Sequence, residues 1–89
     1  MPVFDDHRLL LVDWFERIDT GGTRNVSASV AAALKRLRRV RKSARHARLA
    51  EFLEQTLLAL RADETEGARY ILLTALAAFG WAYDLTGMG

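Results

Sequence analysis

Apolar residues recur every three or four positions along most of the chain, and no segment alternates between apolar and polar residues as a half-buried strand would. The pattern divides into four segments, at roughly residues 6–19, 28–42, 44–62 and 64–85, separated by breaks that contain Gly, Ser or Asp. We therefore predict an all-α fold, in which residues 1–89 form one compact four-helix domain.

The first three segments each have one apolar stripe that should face the core. These inward positions are His7, Leu10, Leu11, Trp14, Phe15 and Ile18, then Val26, Val30, Ala33, Leu34, Leu37 and Val40, then Leu49, Phe52, Leu53, Thr56, Leu57 and Leu60. Leu9 and Leu58 lie away from the stripes of their own helices. We expect that a second surface covers them.

Helix boundaries are predicted from residues that favour caps. Asp5 is the expected N-cap of the first helix, and Gly21 and Gly22 are expected to end it. Ser27 or Ser29 should begin the second helix.

The third and fourth helices are each expected to begin after a cap of their own. If the second and third helices were continuous, the stripe would turn by about 120° between Leu37 and Leu49. A break near Ser43, which can cap the third helix, is therefore favoured. Asp63 and Glu66 have the spacing of a capping box before the fourth helix.

The C-terminal segment carries no charged residue in the fourteen positions from Tyr70 to Tyr83. A helix that is apolar around its circumference is buried centrally or shared with a partner, and this one is too short for the roughly 20 residues that span a membrane. We expect a central C-terminal helix and a homodimer formed through it. The predicted dimer interface consists of Tyr70, Leu73, Leu76, Ala77, Gly80 and Trp81.

Composition describes a globular chain, with 51% hydrophobic and 27% charged residues among its 89. The absence of cysteine excludes disulfides and thiolate metal sites. The early apolar run "LLLV" is too short for a secretory signal, so we expect a cytoplasmic protein. We expect no membrane partner, because the basic helix carries no interfacial Trp.

Charge is distributed very unevenly along the chain. Residues 34–48 contain eight of the thirteen Lys and Arg and no acid, whereas the remainder has five cations and eleven acids, a net of −6. Like charges three and four positions apart repel on a helix, which favours an anionic partner that offsets the repulsion. The predicted nucleic-acid contacts are Lys35, Arg36, Arg38, Arg39, Arg41, Lys42, Arg45 and Arg48.

The leading interpretation of this basic stretch is a small regulator that binds nucleic acid through its phosphates, with DNA favoured over RNA. Asn, Gln and Thr, which read bases, are missing from the basic helix, so we expect weak sequence preference. The alternatives are docking on an acidic protein surface, or internal pairing with Glu51, Glu54 or Asp84. Arg41 falls within the apolar stripe, where either the helix leaves the core or a buried acid meets the cation.

Other candidate chemistry is weaker. Residues 5–7, "DDH", point about 100° apart along a helix and cannot converge on one metal ion. The "TGGTRN" loop lacks the Gly-Lys-Ser/Thr ending of a phosphate-binding loop. Neither His7 nor His46 has a nucleophile or carboxylate partner at a diagnostic spacing. We predict a non-enzymatic protein with no catalytic residues, no metal site and no cofactor.

Overall fold

Four α-helices account for all regular structure in the described part of the chain. The computed structural model describes residues 3–20, 23–40 and 43–81, with the backbone alone at residues 3–6, 19, 23–24 and 40. The helices are α1 (Val3–Asp19), α2 (Thr23–Val40), α3 (Ala44–Arg61) and α4 (Thr65–Ala78). The all-α prediction with four helices is confirmed.

The helices pack in a closed order, with α2 against α3, α3 against α4, α4 against α1, and a smaller contact between α1 and α2. The radius of gyration is 12.1 Å, which matches the value of about 12 Å for a compact chain of this length. Each helix, α4 included, thus has two principal neighbours. The expectation that α4 is central is not confirmed, since α4 has as many principal neighbours as the other helices.

The core is built from the predicted stripes of the first three helices and from one side of α4, for which no stripe was predicted. The fully buried side chains with the largest volumes are Trp14, Leu11, Leu37, Leu49, Leu53, Leu72, Leu76, Val26, Val30 and Thr56. Thr56 is the polar member, and its hydroxyl donates to the Phe52 carbonyl at 2.8 Å, so burial leaves no unsatisfied donor. The amphipathic spacing of each helix therefore determines which residues the four helices bury together.

The first two helices begin earlier than their cap signals predict. α1 starts at Val3, so Asp5 lies inside the helix, and α2 starts at Thr23, so Ser29 is an interior residue. The Ser29 hydroxyl instead accepts a hydrogen bond from the Trp14 indole Nε1 at 2.9 Å, which joins α1 to α2. The hydroxyl of Ser29, predicted as a possible N-cap, thus accepts from Trp14 of another helix and does not cap α2. The predicted terminators Gly21 and Gly22 lie outside the described residues.

The predicted break between α2 and α3 is confirmed. Ser43 is the N-cap of α3 with extended backbone angles (φ −144°, ψ 164°), and its hydroxyl accepts from the His46 backbone N–H at 3.3 Å. The same hydroxyl lies 2.7 Å from His46 Nδ1. This cap lets the chain reverse, so that α2 and α3 pack side by side as a helical hairpin.

The connection from α3 to α4 does not use the predicted capping box. Asp63 has a left-handed backbone (φ 61°), and its N–H donates to the Leu60 carbonyl at 3.1 Å. The Glu64 N–H donates to the Ala59 carbonyl at 2.8 Å. These two bonds form the C-terminal motif of α3, so Asp63 terminates that helix and Glu64 takes the N-cap position of α4 without a side-chain cap bond.

Helix α4 ends at Ala78, before the predicted boundary. Gly80 has a left-handed backbone (φ 78°), the Gly80 N–H donates to the Ala77 carbonyl at 3.1 Å, and the Trp81 N–H donates to the Leu76 carbonyl at 2.7 Å. Gly80 thus stops the helix, whereas the sequence analysis placed Gly80 inside the helix as part of the predicted dimer interface. Residues 82–85 of the predicted helix lie outside the described residues.

Candidate functional site

The predicted cations lie on the outside of α2 and of the first turns of α3. We call these exposed residues the basic surface. It consists of Lys35, Arg36, Arg38, Arg39, Arg45 and Arg48. Because the inward stripe of α2 is occupied by Val30, Ala33, Leu34 and Leu37, these cations are directed to solvent. The other two predicted contacts, Arg41 and Lys42, lie outside the described residues.

Two members of the basic surface have partners within the protein. The Arg38 guanidinium forms an ion pair with the Glu54 carboxylate of α3, and both side chains are about half exposed. The Arg45 guanidinium lies 5.4 Å from the centroid of the Phe79 ring, a cation–π distance. Among the described residues, no ion pair includes the remaining cations Lys35, Arg36, Arg39 and Arg48.

The pairing of Arg38 with Glu54 changes the predicted role of Arg38. Internal pairing was one of the alternatives left open by the sequence, and the structure shows it for Arg38 with Glu54. Because an exposed pair contributes only about 0–1 kcal/mol, a stronger anion can compete for the guanidinium. Arg38 can therefore contact an external anion only when its ion pair with Glu54 opens.

A groove of about 540 Å³ runs between α2 and α3, beside the basic surface. We call it the α2–α3 groove. Its lining residues are Ala31, Leu34, Lys35, Arg38, Arg39, Glu54, Leu57, Leu58 and Arg61. The groove thus has an apolar floor and a charged rim. Arg36, Arg45 and Arg48 do not line it, so the structure divides the basic surface into cations at the groove and cations outside it.

Two of the exposed residues of this groove, Leu58 and Arg61, were not identified from the sequence as part of a site. Arg61 lies outside the basic stretch, and Leu58 is an exposed leucine with 61% of its surface accessible. The signal was present in the spacing, because Glu54, Leu58 and Arg61 stand at i, i+4 and i+7 and share one face of α3. The inference that Leu58 faces away from its own helix's stripe agrees with its exposure.

The residues predicted as a dimer interface separate into three groups. Tyr70, Leu73 and Ala77 are exposed on α4, and Tyr70 is 70% accessible. Leu76 is fully buried in the core of the monomer, which removes it from any surface contact. The last two, Gly80 and Trp81, follow the end of the helix, and the Trp81 ring stacks on Phe79 with centroids 5.1 Å apart. One face of α4 is therefore open, contrary to a helix buried on all sides.

Other site chemistry is sparse in the part of the chain that the structure describes. No group of three or more His, Asp or Glu side chains there is placed to hold a metal ion. His7 is buried, and His46 belongs to the cap of α3. None of the described helices combines the length and hydrophobicity needed to cross a membrane.

The chain was compared with protein-family models, with curated proteins and with solved structures, and none of the three comparisons finds a match. No relative therefore supplies a role for the basic surface or the α2–α3 groove.

Proposed function

We propose that this protein is a small, non-enzymatic, cytoplasmic regulator that binds nucleic acid through phosphate contacts of its basic surface, with DNA favoured over RNA. The observation that carries the proposal is a set of exposed cations on α2 and α3 that no acid of the described chain neutralises. This set comprises Lys35, Arg36, Arg39 and Arg48.

Such a surface suits a nucleic-acid backbone. Cations that contact phosphates release condensed counterions, and this release supplies most of the affinity of binding without sequence recognition. Lys35 and Arg39 stand four residues apart on α2, about 6 Å along the helix, so both can face the same stretch of a nucleic-acid backbone. Repulsion between these neighbouring cations is then offset by the phosphates they contact.

The test is a salt titration of binding to a mixed-sequence duplex and to a single strand, from about 50 to 200 mM salt. About five phosphate contacts on a duplex predict a log–log slope of about −4 to −5. Replacing Lys35, Arg36 and Arg39 by Ala should reduce the slope by about 2.7 and leave the fold intact. Absence of binding at the low-salt end, or an unchanged slope in the variant, would contradict the proposal.

We further propose that the protein forms a homodimer through the outer face of α4, which we define as Tyr70, Leu73, Thr74 and Ala77. These positions share one face of the helix, carry no charge, and include two of the four exposed large hydrophobic residues of the described chain. Replacing Leu73 by Glu should shift sedimentation from dimer to monomer. A sedimentation coefficient that stays monomeric across the concentration range in the unmodified protein would refute the dimer.

A further inference from the structure

We propose that the α2–α3 groove is the docking site for an acidic amphipathic helix of a partner protein. This inference goes beyond nucleic-acid binding, because it concerns the apolar floor of the groove, which a charged phosphate backbone does not contact favourably. The groove joins Leu58 on α3 to the edges of Leu34 and Leu57, and four cations surround these leucines.

The apolar contribution comes mainly from one residue. Leu58 is 61% accessible, whereas its neighbours Leu34 and Leu57 are 5% and 7% accessible and belong to the core. An exposed leucine next to core leucines extends the hydrophobic surface of the domain outward to solvent. A partner with apolar side chains removes this surface from water, at about 25 cal/mol per Å² of apolar area buried.

The charge on the rim selects the sign of the partner. Lys35, Arg38, Arg39 and Arg61 provide four positive charges and Glu54 one negative charge, so the net charge is +3. Opposite charges across an interface accelerate association and exclude partners of the wrong sign. A partner with carboxylates on either side of its apolar stripe therefore matches this groove, and a basic partner is rejected.

The dimensions of the groove favour a helix as the partner. The lining residues extend from Ala31 to Arg39 on α2, about 12 Å along that helix, and from Glu54 to Arg61 on α3, about 10 Å. Two turns of a partner helix cover that length and present apolar residues at i, i+4 and i+7. The length of the α2–α3 groove thus matches a partner helix with three apolar residues along one face and acidic residues on either side of them.

The experiment uses a synthetic helical peptide of about fourteen residues, with leucine at i, i+4 and i+7 and glutamate at the flanking positions. Its binding to the full chain is measured by fluorescence anisotropy at about 0.15 M salt, the physiological ionic strength. A peptide of the same composition, with its leucines scattered around the helix, is the matched ligand control. We expect the amphipathic peptide to bind at least about tenfold more tightly than the scattered one.

Variants of the chain distinguish the groove from other surfaces. Leu58→Ser should weaken binding of the amphipathic peptide by about tenfold or more, because it removes the one exposed leucine of the groove. Leu9→Ser is the control, since Leu9 is 60% accessible on α1 and lies outside the groove. Equal affinity for the two peptides, or equal effects of the two variants, would overturn the proposal, as would an absence of peptide binding.

The same variants separate this proposal from the proposed nucleic-acid binding. Leu58→Ser removes no charge, so affinity for a mixed-sequence duplex should stay unchanged while peptide affinity falls. Arg48→Ala lies outside the groove and should lower duplex affinity without changing peptide affinity. Loss of duplex affinity in Leu58→Ser, with the peptide unaffected, would assign the groove to nucleic acid and refute the acidic helix.

Discussion

The ion pair between Arg38 and Glu54 makes a sharp test of the basic surface. Glu54 is the only carboxylate that lines the described α2–α3 groove, and Arg38 is its partner across the two helices. Replacing Glu54 by Gln keeps the size of the side chain and removes its charge. Because Arg38 then has no carboxylate partner at this position, we expect it to contact a phosphate of the duplex, so that the variant binds duplex DNA more tightly than the unmodified protein does.

The expected size of the effect follows from counterion release. One additional phosphate contact makes the log–log salt slope on duplex DNA steeper by about 0.9. Over one decade of salt, such a contact changes the binding constant by about eightfold. The variant should lose at most about 1 kcal/mol of stability, because both partners are half exposed, which corresponds to a melting temperature lower by no more than about 8 °C.

The assay is the salt titration on a mixed-sequence duplex, performed with Glu54→Gln and with Glu51→Gln. Glu51 is also exposed on α3 but does not line the groove, and no ion pair of the described residues includes it. The two variants have the same net charge, so a difference between them reports the release of Arg38. If both variants give the same slope, loss of the Glu54 carboxylate does not make Arg38 available to a phosphate, and the prediction is wrong.

Three further predictions concern the stability of the fold and are measured by thermal or urea unfolding. Ser43→Ala should cost about 0.5–2 kcal/mol by removing the cap of α3, and an unchanged midpoint would show that the cap bond is unimportant. Gly67→Ala should stabilise the protein by up to about 1 kcal/mol, because the added methyl makes only ordinary van der Waals contact, whereas Gly80→Ala should destabilise it by about 1 kcal/mol, because Gly80 has φ +78°. A change of the same sign in both variants would refute these two assignments. Leu53→Ala should cost about 2–5 kcal/mol and the exposed Leu58→Ala within about 0.5 kcal/mol, so comparable losses would contradict the assigned burial.

Some of the helix boundaries were predictable and others were not, for a consistent reason. Ser43 caps α3 as predicted, because the change of stripe direction and the cap residue point to the same position. Ser29 and Asp63 both have cap-forming side chains, yet Ser29 accepts from Trp14 and Asp63 adopts a left-handed backbone at the end of α3. A cap-forming residue thus signals several roles, and the tertiary neighbours select one of them.

Some features of the candidate site were likewise predictable from the sequence and others were not. The cluster of cations on α2 is evident from their spacing, because local periodicity places them opposite the apolar stripe. The α2–α3 groove is not evident, since it requires Arg61 and Leu58 on α3 to lie beside Lys35 on α2, more than twenty residues earlier in the chain. The pairing of Arg38 with Glu54 likewise joins residues sixteen positions apart.

The sequence by itself determined the all-α class, the number of helices, most of the buried positions and the concentration of positive charge. Each of these depends on the repeat of a single helix, which a linear pattern records directly. Only the tertiary structure decided the burial of Leu76 and the composition of the α2–α3 groove. These features depend on the order in which helices pack and on competition between partners for the same side chain, and a local repeat contains neither.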